Sequence, residues 1–366
     1  MRPTIKVLVA LCTLSLGTLV LLHTSLVPEH GAITTHFLRR PHRHIADATR
    51  AYVGRLLAPA RYTSVATAGC NFASTVAAFD PFDLPLHCGN MHELETHEVL
   101  GKGFWRSVLK ATWQGKPVAV KVVHQNLAWR SGILERHVEE AAVLYQLRDA
   151  PHIAHLVGWC NTTIVVEYFP RNLDEVLHDP TTPAWSMAET LSLARDAAMG
   201  VAELHAAGAV HVDLQPRQFL YEEASHRLVL NDFNRLRYNG RNSSSSSNEI
   251  CEFHIPIAKG VYRAPEEYLL QPLNAKVDVY SLALVFWSLV AREAPYKAWS
   301  RDEVYANVPE GLRPEVAVLS PYPPAMQNLV QTMWATDPEE RPSAADVATQ
   351  VAAILAQVER DPIAIS

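Results

Sequence analysis

The chain is short of several things, and each shortage excludes something. It has five cysteines in 366 residues, too few for a disulfide scaffold. Cys12 lies in an apolar stretch, and Cys70, Cys88, Cys160 and Cys251 fall at spacings that match no zinc pattern. These four read as buried or free thiols, or as up to two disulfides if the domain faces an oxidising compartment. There is no basic excess: the net charge is −6, which argues against a nucleic-acid partner. Only 19% of residues are charged while 48% are apolar, so the bulk of the chain is not disordered. No internal repeat is present, which removes solenoids and propellers. Long apolar runs are scarce too. Residues 7–22 form one of sixteen residues, against the roughly twenty that cross a bilayer comfortably.

That N-terminal run follows Arg2 and Lys6, and no small-x-small cleavage site comes after it. It reads as an uncleaved membrane anchor, residues 1–27, rather than a removed signal peptide. Arg39, Arg40 and Arg43 downstream balance the charges upstream, so the positive-inside count leaves the orientation open. Residues 28–90, with His30, His36, His42 and His44 scattered among arginines, read as a solvated stem.

From Glu98 the texture becomes that of a sheet. A strand ends near Gly101, a second runs over residues 107–112, Gln114 and Gly115 make a turn, and residues 117–123 form a third strand. A helix is predicted over residues 131–147, then two more strands over 153–159 and 163–168 with Asn161 at the turn. The second half is helical. Ser186 and Glu189 form a capping box, apolar residues keep helical spacing from Leu191 to Leu204, and Gly208 ends the helix. The apolar residues 277–291 are too few for a span and read as a buried helix. The serine-rich residues 242–248 read as a loop.

Four short motifs carry chemistry. Gly101 and Gly103, leading to Val108, let backbone amides approach phosphate oxygens without a Cβ in the way. Lys121 closes the apolar strand Val118-Ala119-Val120, against the burial preference of lysine, and needs a partner; Glu140 on the next helix supplies one. Asp213 and Asp232 each end a short apolar run, nineteen residues apart. One carboxylate to orient an acceptor hydroxyl and another to hold Mg²⁺ is what phosphoryl transfer requires.

In this order and spacing the parts resemble the eukaryotic protein kinase domain, over about 260 residues. The resemblance implies an α+β, bilobal fold: an N-lobe of antiparallel sheet plus one helix over residues 91–169, and a mostly helical C-lobe over 170–360. It implies ATP and Mg²⁺ as cofactors and a protein substrate. It makes Lys121 the phosphate-binding lysine and Glu140 its helix partner. Gly101, Gly103, Val108, Ala119, Glu167, Phe169 and Leu220 enclose the nucleotide, with Val166 as gatekeeper. Asp213 becomes the catalytic-loop aspartate and Asp232 the metal ligand. Ala264-Pro265-Glu266 ends the activation segment, Arg341 pairs with Glu266, and Asp278 supports the catalytic loop. Leu144, Leu156, His211 and Phe233 resemble the regulatory spine. The tail around Gly311-Leu312-Arg313-Pro314 resembles the tyrosine-kinase-like branch, whereas Pro216 in the catalytic loop resembles the Ser/Thr type.

The sequence also departs from the family pattern. Arg106 replaces the third loop glycine, a minor change on this reading. Asn234 replaces the glycine after Asp232-Phe233, where asparagine tolerates positive φ. Val212 replaces the arginine that grips an activation-segment phosphate, Gln215 a catalytic-loop lysine, and Gln218 the asparagine that binds a second Mg²⁺. Three functions follow from these observations. The first is an ATP-dependent kinase of protein Ser/Thr hydroxyls, with Gln215 beside Asp213 and Gln218 beside Asp232. The others are a nucleotide-binding pseudokinase scaffold and a lumenal glycan kinase.

Overall fold

The computed structural model describes residues 69–128, 130–245, 249–256 and 259–360, all within the compact unit Phe37–Ser366. The expected anchor, the stem as far as residue 68 and Ser246, Ser247 and Asn248 of the serine-rich run lie outside them. No helix among the described residues is long and apolar enough to cross a membrane.

The first lobe is a six-stranded sheet in the order β1-β5-β6-β4-β3-β2. After the short helix α1 (Ala73–Ala77) come β1 (Leu86–His87), β2 (Glu95–Lys102), β3 (Arg106–Trp113), β4 (Lys116–Val123), the helix α2 (Ser131–Gln146), β5 (Leu156–Cys160) and β6 (Thr163–Glu167). Residues 114 and 115, both at positive φ, turn β3 into β4. The β3–β4 register sets Val108 opposite Lys121 and Lys110 opposite Ala119. Because side chains alternate along a strand, Arg106 and Val108 share a face of β3, and Ala119 and Lys121 share one of β4. That face looks into the cleft between the lobes.

Residues 69–90 are not a stem. Phe72, Val76, Phe79, Leu84 and Leu86 are buried in the core, and β1 pairs in parallel with β5. The sheet is therefore not wholly antiparallel. Gly158 permits this addition, since a Cβ there would lie 2.5 Å from the Leu86 carbonyl oxygen. Two disulfides fasten the same segment. Cys88–Cys160 ties it to β5, and Cys70–Cys251 ties it to the stretch before Ala264-Pro265-Glu266. All four non-terminal cysteines are thus paired. Sequence spacing alone had no means of choosing the partners, which lie 72 and 181 residues apart.

The second lobe begins with β7 (Arg171–Asn172) and α3 (Leu173–His178), followed by the long helix α4 (Met187–Ala206). The expected capping box starts α4: Ser186 Oγ accepts from the Glu189 amide, and the Glu189 carboxylate accepts from the Ser186 amide. Gly208, at φ 73°, ends it. The strands β8 (Ala209–Val210), β9 (Phe219–Glu222), β10 (Arg227–Leu230) and β11 (Arg237–Tyr238) frame the loops of the cleft floor. Below them lie α5 (Pro265–Tyr268), α6 (Lys276–Ala291), α7 (Arg301–Asn307), α8 (Pro324–Met333) and α9 (Ala344–Arg360). Helix α6 is buried along nearly its whole length, as its apolar sequence requires. The architecture is the bilobal α+β arrangement of the protein kinases.

Candidate active site

The cleft between the lobes encloses about 870 Å³. Val108 and Ala119 line it from the sheet, Leu220 from β9, and Val166, Glu167 and Phe169 from the connection between lobes. Gly101 and Gly103 lie at its mouth, with Phe104 projecting into solvent. The Gly103 amide donates to the Arg106 carbonyl at 2.9 Å, closing a tight turn. Five arginines and two lysines line the cleft against three carboxylates, a field suited to a polyanion. Glu167 is turned away from phosphate chemistry, since its carboxylate pairs with His155 at 2.8 Å.

At the back, Lys121 Nζ donates to Glu140 Oε1 at 3.2 Å and to Asn231 Oδ1 at 2.9 Å. Both charged groups are buried. The structure adds a residue here that sequence reasoning set aside. Arg106 is buried, and its guanidinium donates through Nη1 and Nη2 to the two oxygens of Glu140 and through Nη2 to Asp232 Oδ1. It is no minor replacement for a glycine but the centre of the cluster. The signal was available in the strand period: counting back two from Val108 puts residue 106 on the cleft face. Burial opposes charge on Glu140, but Arg106 and Lys121 outweigh it and hold the carboxyl below its usual range. The same opposition at Asp232 ends with its carboxyl held down at about 2, Arg106 being the strongest favourable neighbour. Arg106 stays charged for the converse reason, burial being overcome by Glu140 and Asp232. Lys121 differs: burial lowers its affinity for a proton, and Arg106 adds to that effect.

On the floor, Asp278 accepts from the amides of His211 at 2.7 Å and Val212 at 2.9 Å, fixing the loop that carries Asp213. His211 packs on Phe233, ring centroids 5.5 Å apart, and Phe233 shares one buried core with Leu144 and Leu156. Val212 at φ 63° and Asp232 at φ 65° are the left-handed residues of these two loops. The positive φ expected at Asn234 falls instead on Asp232, and the Asn234 side chain donates to Asp232 Oδ1 at 2.8 Å. Arg263 donates to the Val212 carbonyl at 2.6 Å and to Asp213 Oδ1. A cation from the end of the activation segment thus stands where the loop itself has only Val212 and Gln215. Gln218 gives its amide nitrogen to Asp213 Oδ2 at 3.1 Å, joining it to Asp213 as well as to the cleft. Gln215 turns its amide back to the Asp213 carbonyl at 3.5 Å. Farther off, Arg341 grips Glu266 with two bonds of 2.6 and 2.8 Å.

Residues 94–351 match the family model for protein tyrosine and serine/threonine kinases. The chain belongs to the protein kinases, a family of phosphotransferases. The kinase is 30% identical to the Xenopus laevis serine/threonine-protein kinase mos, over 68% of its own length and 72% of that protein's. It is 30% identical to the Gallus gallus mos kinase, over 70% and 80% of the two chains. It is 28% identical to the Drosophila mitogen-activated protein kinase kinase kinase 7, of which it spans 36%.

The family generally employs ATP with Mg²⁺, and the two fit this kinase unequally. The apolar walls, the glycine turn and the excess of cations over carboxylates along the cleft suit ATP. A divalent ion suits it poorly, because Asp232 Oδ1 already accepts from Arg106 and Asn234 and Gln218 directs its amide to Asp213. No group of three His, Cys, Asp or Glu side chains suited to a metal occurs among the described residues.

Proposed function

We propose that this kinase transfers the γ-phosphate of ATP to serine and threonine hydroxyls of proteins. The observation that carries the reading is Asp213, facing the same cleft as Lys121 and oriented by Arg263 and Gln218 on its two oxygens. In that position it accepts the proton of an acceptor hydroxyl as the oxygen bonds to phosphorus and the bond to the bridging oxygen breaks, releasing ADP. Pro216, at the start of a buried turn after Asp213, and the names of the mos relatives support Ser/Thr rather than Tyr acceptors. With purified chain and radiolabelled ATP, generic protein acceptors should become labelled on Ser and Thr. Asp213→Asn should lower the rate by at least about 100-fold while leaving nucleotide affinity nearly unchanged. Label on tyrosine alone would refute the specificity.

A second reading, a nucleotide-binding scaffold with little turnover, draws support from one feature, the pairing of Arg106 with Asp232. Absence of labelling from a chain that binds ATP would favour it.

Two disulfides support a lumenal or extracellular location, because reducing compartments do not maintain such bonds. The N-terminal apolar run would then serve as anchor. Asn161 and Asn242 stand in glycosylation sequons, so loss of a glycosidase-sensitive mass shift in the Asn161→Gln/Asn242→Gln chain tests the location.

A further inference from the structure

The cluster at the back of the cleft is neutral as it stands. Lys121 and Arg106 face Glu140 and Asp232, two cations against two carboxylates. With a glycine at position 106 the same cluster would carry one negative charge, centred on Asp232, and would attract a cation from solution. Here the protein supplies that cation itself. Arg106 reaches Asp232 across 126 residues of sequence, and three separate features hold it there. It lies on the cleft face of β3. Its guanidinium takes both oxygens of the fully buried Glu140, and it stacks on the Trp105 ring with Cζ 4.9 Å from the centroid. Two neighbours of this cluster, which roofs the cleft over Asp213, are also engaged: Asn231 accepts from Lys121 at 2.9 Å, and Asn234 donates to Asp232 at 2.8 Å.

We propose that Arg106 replaces the divalent metal of this cleft, so that the nucleotide's phosphates are met by Arg106 and Lys121 and bind without Mg²⁺. The inference rests on the reading that the cleft takes ATP. Chemically, a guanidinium suits the task. It is planar, permanently charged and weakly hydrated, and it carries five N–H donors in a fork that matches both carboxylates and phosphates. Three of the five are used on Glu140 and Asp232, which leaves donors for a phosphate oxygen. Mg²⁺ is the poorer occupant. It demands near-octahedral oxygen ligands at about 2.1 Å, and here it would meet a single carboxylate already bonded to a fixed positive charge. Gln218, with its amide on Asp213, completes no second ligand pair.

Calorimetric titration of ATP into the full chain, in excess EDTA and in excess Mg²⁺, tests this with a binding readout that needs no turnover. Wild type should bind ATP with affinities within about threefold of each other in the two buffers. Arg106→Gln, which keeps the length and removes the charge, should lose about tenfold or more in EDTA and recover most of it when Mg²⁺ is added. A wild type that requires Mg²⁺ by more than about tenfold overturns the inference and leaves the kinase reading intact. Metal-free binding that persists unchanged in Arg106→Gln overturns it as well, by removing Arg106 from the account. Failure of wild type to bind ATP in either buffer removes the underlying reading and the inference together. If Arg106→Gln does not fold, Arg106→Lys, which keeps the charge and removes the fork, takes its place, and metal-free binding unchanged in it overturns the role of the guanidinium.

Discussion

The roof and the floor of the cleft each pair an aspartate with an arginine from far along the chain, yet the two pairs differ in what surrounds them. In the roof, Arg106 is added to a lysine that is already present, and the two share Glu140. In the floor, Arg263 is the one cation bonded directly to Asp213, because the loop offers Val212 and Gln215 where the family pattern has an arginine and a lysine. Arg235 is the nearest other cation, 3.7 Å from Asp213. Removing one cation from the roof leaves its buried carboxylate partnered. Removing Arg263 from the floor leaves Asp213 with the longer Arg235 pair and takes the ion pair of Glu267 away. Redundancy, rather than charge count, separates the two regions.

The sharpest contrast between them should come from stability. Arg263→Leu breaks a buried network with two carboxylates and should cost about 3–5 kcal/mol in denaturant unfolding. Lys121→Met leaves Glu140 held by both arms of Arg106 and should cost only about 1 kcal/mol, although phosphoryl transfer should be lost. Equal costs for the two variants would abolish the distinction.

The floor should also carry a dependence on pH of its own. Glu267 is pushed up to about 7 by burial, from an ordinary 4.5, with Arg263 only partly opposing the shift. A carboxyl raised in the folded state favours the protonated form. Its contribution is therefore present below about pH 4.5 and is lost progressively as pH rises towards 7. Unfolding free energy should fall by about 2 kcal/mol between pH 5 and 8 on account of this group, and Glu267→Gln should flatten that slope. Asp232, held down at about 2 in the roof, should add no slope in the same window.

The smallest effect concerns Gln218. Its amide spans to Asp213 Oδ2 at 3.1 Å, so the shorter Gln218→Asn should lose one hydrogen bond, about 1 kcal/mol. Single-turnover transfer should slow by less than about tenfold. A faster variant would show that the glutamine hinders Asp213 instead of orienting it.

Much of this was legible in the sequence because it depends on near neighbours. The capping box of Ser186 and Glu189 needs only a spacing of three. The turn at Gln114-Gly115 needs two residues that accept positive φ. The apolar stretch of α6 has one stable use in a folded domain, burial. The kinase motifs were readable for a related reason: each is a short run whose order along the chain is its signature. Residues 69–90 were misread because their periodic stretches, Phe72, Val76 and Phe79 at helical spacing and Leu84 and Leu86 at strand spacing, are each too short to stand out. Leu86 fills a gap beside β5 that exists only because residue 158 is glycine.

The sequence by itself determined the strands β2 to β6, the helices α2, α4 and α6, and the pairing of Lys121 with Glu140 that the motifs imply. Tertiary structure alone decided that Arg106 meets Asp232, that Arg263 serves Asp213, and that Cys70 and Cys88 find Cys251 and Cys160. The reason is physical. Helix periods, turns and caps are set by energies between residues a few positions apart. Partners 50 to 181 residues apart are chosen by sheet register and by the closing of the lobes, which bring charges and thiols together only after the chain has folded.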